Sequence, residues 1–196
     1  MPKKILITGG LGYIGTELCK IYSGYSWNDH ITVIDNRFIS ERVNQIRNWN
    51  MNFVQGDILD KALIKKYCSD ADIIHHLAGI TDVPKVKSES NQEHDKKIKE
   101  VGEEGTQNIL DVMKSNCKII MPSTHVVYEG IEKVKNNIKE NEDTCPKLAY
   151  GKSKNFNEKQ LKDSGKNYII LRLGSVYGYS TDTMRIDIMP NLFSKI

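Results

Sequence analysis

The sequence predicts an α/β fold, a doubly wound parallel sheet with helices on both faces. Three observations carry that prediction. Short apolar runs alternate with amphipathic stretches along most of the chain. The runs are continuous rather than alternating in polarity, as strands buried on both faces should be. A glycine-rich turn links the first run to the first amphipathic stretch, which suits a strand feeding a helix across a parallel sheet.

The elements follow in order. Lys4 to Thr8 is a strand, apolar through Ile5, Leu6 and Ile7, that runs into the glycine turn. Tyr13 to Tyr22 is a helix. Ile31 to Ile34 is a second buried strand, and Asn52 to Val54 a weaker third. Lys61 to Tyr67 is helical and Asp72 to His76 is the fourth strand. Asp95 to Lys114 is a long helix with Ile98, Val101, Ile109 and Val112 on its apolar face. Cys117 to Met121 is the fifth strand, Leu148 to Leu161 a helix and Tyr168 to Leu173 the sixth strand. There is no internal repeat and no low-complexity segment.

A chain of 196 residues suits one domain or one and a fraction. Net charge is only +3 and is dispersed, which argues against nucleic-acid and membrane partners. None of the four cysteines, Cys19, Cys68, Cys117 and Cys145, falls in a C-x-x-C pair, so no zinc or redox motif is present. His30, His94 and His125 have no metal-ligand spacing. Cys19 and Cys117 sit in apolar-periodic stretches and read as reduced core residues, which suits a reducing, cytoplasmic setting. Lys3 and Lys4 lead straight into the first strand, so no signal peptide is expected. No apolar run approaches bilayer length. After Gly178 the chain turns polar and then runs Ile188-Met-Pro-Asn-Leu-Phe. That segment reads as the start of a helix, with Met189, Leu192 and Phe193 poorly covered.

Gly9, Gly10, Gly12 and Gly15 satisfy both G-x-G-x-x-G and G-x-x-G-x-x-G. Following a strand and opening a helix, they let backbone approach a pyrophosphate at a helix N-terminus. This makes the sheet Rossmann-type and predicts dinucleotide binding. Asp35 ends the second strand about 20 residues beyond the glycines, where a carboxylate grips a ribose diol. It would repel a 2′-phosphate, so NAD is expected over NADP, with Arg37 as the cation that could oppose this. Asp57 follows the third strand. It either accepts from the adenine amino group or caps the helix starting near Asp60. His75 and His76 read as strand-end packing residues. Ser123 and Thr124 follow the fifth strand at the carboxyl edge, where doubly wound sheets bind ligands, and a hydroxyl there can hold a substrate oxygen. Tyr150 and Lys154 lie four apart and share a helix face. An ammonium beside a phenol favours the phenolate, which makes the pair an acid/base device.

These residues together resemble the extended short-chain dehydrogenase/reductase family, in its NAD-dependent epimerase/dehydratase branch acting on nucleotide sugars. The resemblance rests on Thr8-Gly-Gly-Leu-Gly-Tyr-Ile-Gly15, Asp35-Asn36, Gly56-Asp57-Ile58, His76-Leu-Ala-Gly79, Gly105-Thr106, Pro122-Ser-Thr-His-Val-Val-Tyr128, Tyr150-Gly-Lys-Ser-Lys154 and Leu171-Arg-Leu-Gly-Ser-Val-Tyr-Gly178. It covers essentially the whole chain. It implies that Thr124, Tyr150 and Lys154 form a catalytic triad, with Lys154 also holding the nicotinamide ribose. It implies NAD contacts from Gly9, Gly12, Tyr13, Ile14, Gly15, Asp35, Asn36, Asp57, Ile58, Leu77, Ala78, Gly79 and Thr81, with Tyr150 and Lys154. Thr124 and Ser175 then face the substrate.

Further implications are an epimerase working through a transient keto sugar, with a sugar or alcohol reductase and a catalytically silent NAD-binding module as alternatives. Relatives often form homodimers through their two long helices. Three departures stand out. Gly102 occupies a position where relatives carry Asn, and a helical glycine costs up to about 1 kcal/mol against alanine. His125 and Val126 replace the acidic pair of 4,6-dehydratases. Relatives also continue for a hundred or so residues, so residues 1–178 read as an NAD-binding domain and 179–196 as the start of a truncated substrate region.

Overall fold

A computed structural model describes residues 2–25, 29–81, 91–180 and 190. Residues Met189, Leu192 and Phe193, and nearly all of the segment after Ser180, lie outside the described residues. Six strands form one all-parallel sheet in the order β3-β2-β1-β4-β5-β6. They are β1 Lys4–Thr8, β2 His30–Asp35, β3 Asn52–Gln55, β4 Ile73–His76, β5 Lys118–Thr124 and β6 Asn167–Leu173. The helices are α1 Tyr13–Ser23, α2 Ser40–Asn48, α3 Lys61–Cys68, α4 Gln92–Val112 and α5 Ala149–Asp163.

Side-chain alternation along a strand explains the two layers. Ile5 and Ile7 of β1 point to one face and pack with Cys19 of α1, Val33, and Val43 and Ile46 of α2. Leu6 points to the other face and joins Ile34, Ile64 of α3, Ile74, Ile109 of α4, Ile119 and Leu161 of α5. Both faces of the central strands are therefore apolar, which is why the runs read as continuous. Strand order reverses between β1 and β4, and the crevice at such a switch point is where these sheets bind ligands.

Four differences from the sequence reading have local causes. Helix α2 gives almost no periodic signal, because Val43 and Ile46 are its only buried residues and the rest of Ser40–Asn48 is polar. Helix α4 starts three residues before Asp95, where the Asn91 side chain accepts the Glu93 N–H and serves as N-cap. Strand β5 runs on to Thr124 because pairing with β6 continues through Thr124↔Leu173. A 3-10 helix, His125–Tyr128, follows directly, capped by the Thr124 hydroxyl.

Candidate functional site

A cavity of about 1450 Å³ opens along the carboxyl ends of the strands. That is large enough for more than one drug-sized ligand. Every residue that the resemblance assigns to cofactor, substrate or catalysis lines it, from Gly9 at one end to Thr124, Tyr150, Lys154 and Ser175 at the other, while Gly10 of the glycine turn does not.

The glycine turn is built by contacts that leave no space for side chains. Gly9 has φ +71, and a Cβ there would stand 2.6 Å from the Ala78 nitrogen. A Cβ on Gly15 would stand 2.4 Å from the Gly9 carbonyl oxygen and 2.7 Å from the Gly10 Cα. The turn is thereby pressed against β4's exit and against α1's first turn. Gly12 is the N-cap of α1, and no side chain caps that helix. First-turn amides of a helix that no side chain caps are the donors an anion cradle needs.

Asp35 is buried at the end of β2. Its Oδ2 accepts the Leu11 N–H at 2.9 Å, and its Oδ1 accepts the Arg37 N–H at 3.0 Å and Arg37 Nε at 3.1 Å. The carboxylate therefore ties the glycine turn to β2 and carries a guanidinium beside it. Arg42, which also lines the cavity, donates to the Leu11 carbonyl at 2.7 Å. Asp57 does not cap α3. Asp60 does, accepting from Ala62 and Leu63, because it sits directly before the helix. Asp57 instead turns the loop, accepting the Leu59 N–H at 3.0 Å and the Asn36 amide at 3.2 Å. The Ile58 side chain is buried in the core, against Gly105 of α4. The Tyr13 hydroxyl donates to the Gly178 carbonyl at 2.6 Å and holds the segment after β6 over α1.

At the other end, Thr124 is buried and its Oγ1 accepts the Val126 N–H at 3.2 Å. That bond does not use the hydroxyl hydrogen, which can serve a ligand. Lys154 is part-buried and donates to the Pro122 carbonyl at 3.0 Å. Burial pushes its ammonium down to about 8. Tyr150 lies one helical turn before it in α5. The entry to α5 is held by Glu129, whose Oε1 accepts the Lys147 and Leu148 N–H groups.

The two histidines of β4 part company. His75 accepts or donates to the Tyr22 hydroxyl at 2.8 Å on the α1 face. His76 lies beneath the cavity floor, bonded to Thr8 at 2.9 Å and Thr106 at 3.0 Å. Burial pushes it down to about 3, with the Lys154 charge adding to the effect, so it is a neutral strut between β1, β4 and α4.

Sequence reasoning missed two features. One is the Glu129 cap, which needs a side chain eighteen residues from its partner in sequence. The other is the carboxylate of Glu158, which meets Ser123 and Arg172 inside the molecule. For Glu158 the one signal was its place as third member of a four-residue spacing, Tyr150, Lys154, Glu158, which shows a shared helix face but not its partners. Gly102 lies where α4 crosses α5: a Cβ there would stand 2.3 Å from the Ser153 hydroxyl, and its carbonyl accepts the Asn157 amide at 2.9 Å. Among the described residues no helix is long and apolar enough to cross a membrane, and no cluster of three His, Cys, Asp or Glu is placed to hold a metal.

Residues 5–196 match the NAD dependent epimerase/dehydratase family. The chain is 33% identical to CDP-paratose 2-epimerase of Salmonella typhi over 89% of its own length and 58% of that protein's. It superposes on the UDP-glucose 4-epimerase from Brucella ovis, solved with NAD, with TM-score 0.74 and 29% identity, covering 92% of this chain and 54% of that one. The UDP-glucuronic acid 4-epimerase from Bacillus cereus, solved with UDP-glucuronic acid and NAD, gives 0.76 and 27%, covering 96% and 60%. The chain thus spans little more than half the length of these relatives.

Proposed function

Because the chain belongs to the NAD dependent epimerase/dehydratase family, we propose that it is the cofactor-binding and acid/base portion of an NAD-dependent nucleotide-sugar epimerase. What supports the reading is one cavity that joins a side-chain-free glycine cradle and a buried strand-end carboxylate to a Thr, Tyr and Lys group. Relatives solved with NAD or with a UDP-sugar, and a curated CDP-sugar epimerase, favour the same class.

The residues fit the cofactor. Gly9 to Gly15 leave backbone N–H groups for a pyrophosphate, and Asp35 would take the adenosine ribose diol. Asp57 and Ile58 would meet the adenine, with Asn36 beside them. Leu77, Ala78, Gly79 and Thr81 would line the path across the sheet edge, with Tyr13 and Ile14 at the pyrophosphate turn, and Lys154 would hold the second ribose. Bound NAD supplies a reversible hydride acceptor, so that a sugar carbinol is oxidised to a ketone and reduced on its other face. Tyr150, as phenolate, removes the hydroxyl proton and later returns it. Lys154 favours the phenolate by charge, and its contact with the Pro122 carbonyl fixes its position. Thr124 donates to the reacting oxygen and orients it toward Tyr150. Ser175, at the exit of β6, faces the sugar. His125 and Val126 offer no carboxylic acid to expel a hydroxyl, which favours epimerisation over dehydration.

Tyr150→Phe keeps the ring and removes the proton-transfer group. In the protein carrying this chain it is expected to lower turnover by about 10²–10⁴-fold while NAD affinity is retained. Steady-state kinetics with calorimetry of NAD binding checks this, and full activity in Tyr150→Phe would remove Tyr150 from the mechanism.

A further inference from the structure

Glu158 is a carboxylate with 1% of its surface exposed, in a helix whose preceding turns carry Lys154 and Tyr150. Residues four apart lie on one helix face, so the three point the same way. The Glu158 Oε1 accepts the Ser123 hydroxyl at 2.6 Å and Arg172 Nε at 2.9 Å, and its Oε2 accepts Arg172 Nη2 at 2.6 Å. Ser123 and Arg172 are directly paired across β5 and β6. Arg172 is itself held, donating to the Glu140 carbonyl at 3.0 Å and stacking over Tyr128 at 5.1 Å.

Two consecutive residues of β5, Pro122 and Ser123, therefore bond one face of α5, and the next is Thr124. The Pro122 carbonyl takes the Lys154 ammonium, the Ser123 hydroxyl takes the Glu158 carboxylate, and Thr124 carries the hydroxyl assigned to substrate. An apolar trio of similar volume would pack this junction with no desolvation cost. A bidentate fork does something packing does not: it fixes distance and angle together. Such fixing matters here, since a shift of about 1 Å between reacting groups can cost about 10²-fold in rate.

We propose that Glu158 is a positioning residue, a clamp that locks α5 to β5 and β6 and so sets the Thr124 hydroxyl against Tyr150 and Lys154. The proposal rests on the acid/base reading of Tyr150. Glu158 touches neither substrate nor cofactor, and it acts through Ser123 and Arg172.

Glu158→Gln keeps size and an acceptor for Ser123 but removes the charge that holds the Arg172 fork. Ser123→Ala removes one hydroxyl and leaves the ion pair. Both are compared with the unchanged protein and with Tyr150→Phe, well below the unfolding temperature. The probe is whichever of UDP-glucose, UDP-glucuronic acid and CDP-paratose the unchanged protein converts. Expected is a fall in kcat of tenfold or more in Glu158→Gln, with KM and NAD Kd within twofold. Amide hydrogen exchange of residues 123–126 with NAD bound, which needs no substrate, should quicken at least tenfold. Wild-type kcat in a folded Glu158→Gln, or unchanged exchange, overturns the clamp while an inactive Tyr150→Phe leaves the acid/base reading standing. An active Tyr150→Phe removes that reading and the clamp with it. If Glu158→Gln does not fold, Arg172→Lys, which keeps the charge but cannot make the fork, decides by the same kcat, KM and exchange criteria.

Discussion

At the scale of single residues, charge placement carries the chemistry. Asp35 has two oxygens: Oδ2 accepts the Leu11 N–H and Arg37 Nη2, and Oδ1 accepts the Arg37 N–H and Nε. NAD should still bind more tightly than NADP, because a 2′-phosphate would face a buried carboxylate. Titration calorimetry with both nucleotides checks this, and tighter NADP binding would mean that Arg37 dominates. Lys154 yields a pH prediction. Its folded-state value, about 8, lies below the lysine norm because burial penalises the ammonium. Between about pH 8 and the ordinary lysine range the unfolded chain holds a Lys154 proton that the native chain has released, so this group's contribution to stability rises with pH there. Burial pushes Cys19 and Cys68 up to about 12 and Cys117 up to about 11, which acts oppositely above the ordinary thiol value. The Lys154 contribution is therefore read as a difference: urea midpoints of the cofactor-free chain should gain on those of Lys154→Met as pH rises through that window. His76 works in the same direction at acid pH. Neutral when folded, it favours the native state above the ordinary histidine value, and that contribution is lost as pH falls from there toward about 3.

At the scale of elements, two close approaches explain two glycine positions. The α4–α5 crossing at Gly102 brings the Ser153 hydroxyl and the Asn157 amide onto the α4 backbone. A side chain at this position would displace the Ser153 hydroxyl, so the glycine has a packing reason. Gly15 faces the turn it follows. Alanine in a helix is ordinarily favoured over glycine by about 1 kcal/mol. Against that, a Cβ on Gly15 meets backbone atoms at 2.4 and 2.7 Å, which cannot rotate aside. Overpacking costs about 1–3 kcal/mol. Gly15→Ala should therefore lose stability on balance and weaken NAD binding, measured by urea unfolding and calorimetry. A more stable variant would show that the turn is looser than its contacts indicate.

At the scale of the whole molecule, all six strands deliver their carboxyl ends to one edge, so residues distant in sequence meet around one cavity. NAD binding to the native state alone should then stabilise the entire fold. At about 100 times its Kd the expected gain is about 2.7 kcal/mol, read as a shift in the urea midpoint. No shift at saturating NAD would exclude the cavity as a dinucleotide site. The buried Glu158–Arg172 pair joins the α5 layer to the β6 edge, and its hydrogen bonds hold the carboxyl below its ordinary range despite burial. Its contribution is present above the ordinary carboxylate value and is lost as pH falls through the lowered one.

Element order, the parallel sheet and the residues that line the cavity edge were legible in the linear order of residues, because each has a local signature. A strand buried on both faces is a continuous apolar run, a phosphate turn is a glycine pattern, and Tyr150 and Lys154 show their shared face by spacing. Helix α2 was not legible, since two buried residues make no period. Asp57 was ambiguous because two carboxylates three apart can both cap, and only the observed helix start assigns that role to Asp60. The contacts of Glu158, Glu129 and Gly102, and the bond from the Leu11 N–H to Asp35, were decided by tertiary structure alone. Each depends on distances between elements that sequence separation does not encode: β5 against α5, the 3-10 helix against the α5 entry, α4 across α5, and the end of β2 against the glycine turn. Local backbone preference writes the elements; their packing sets which polar groups meet.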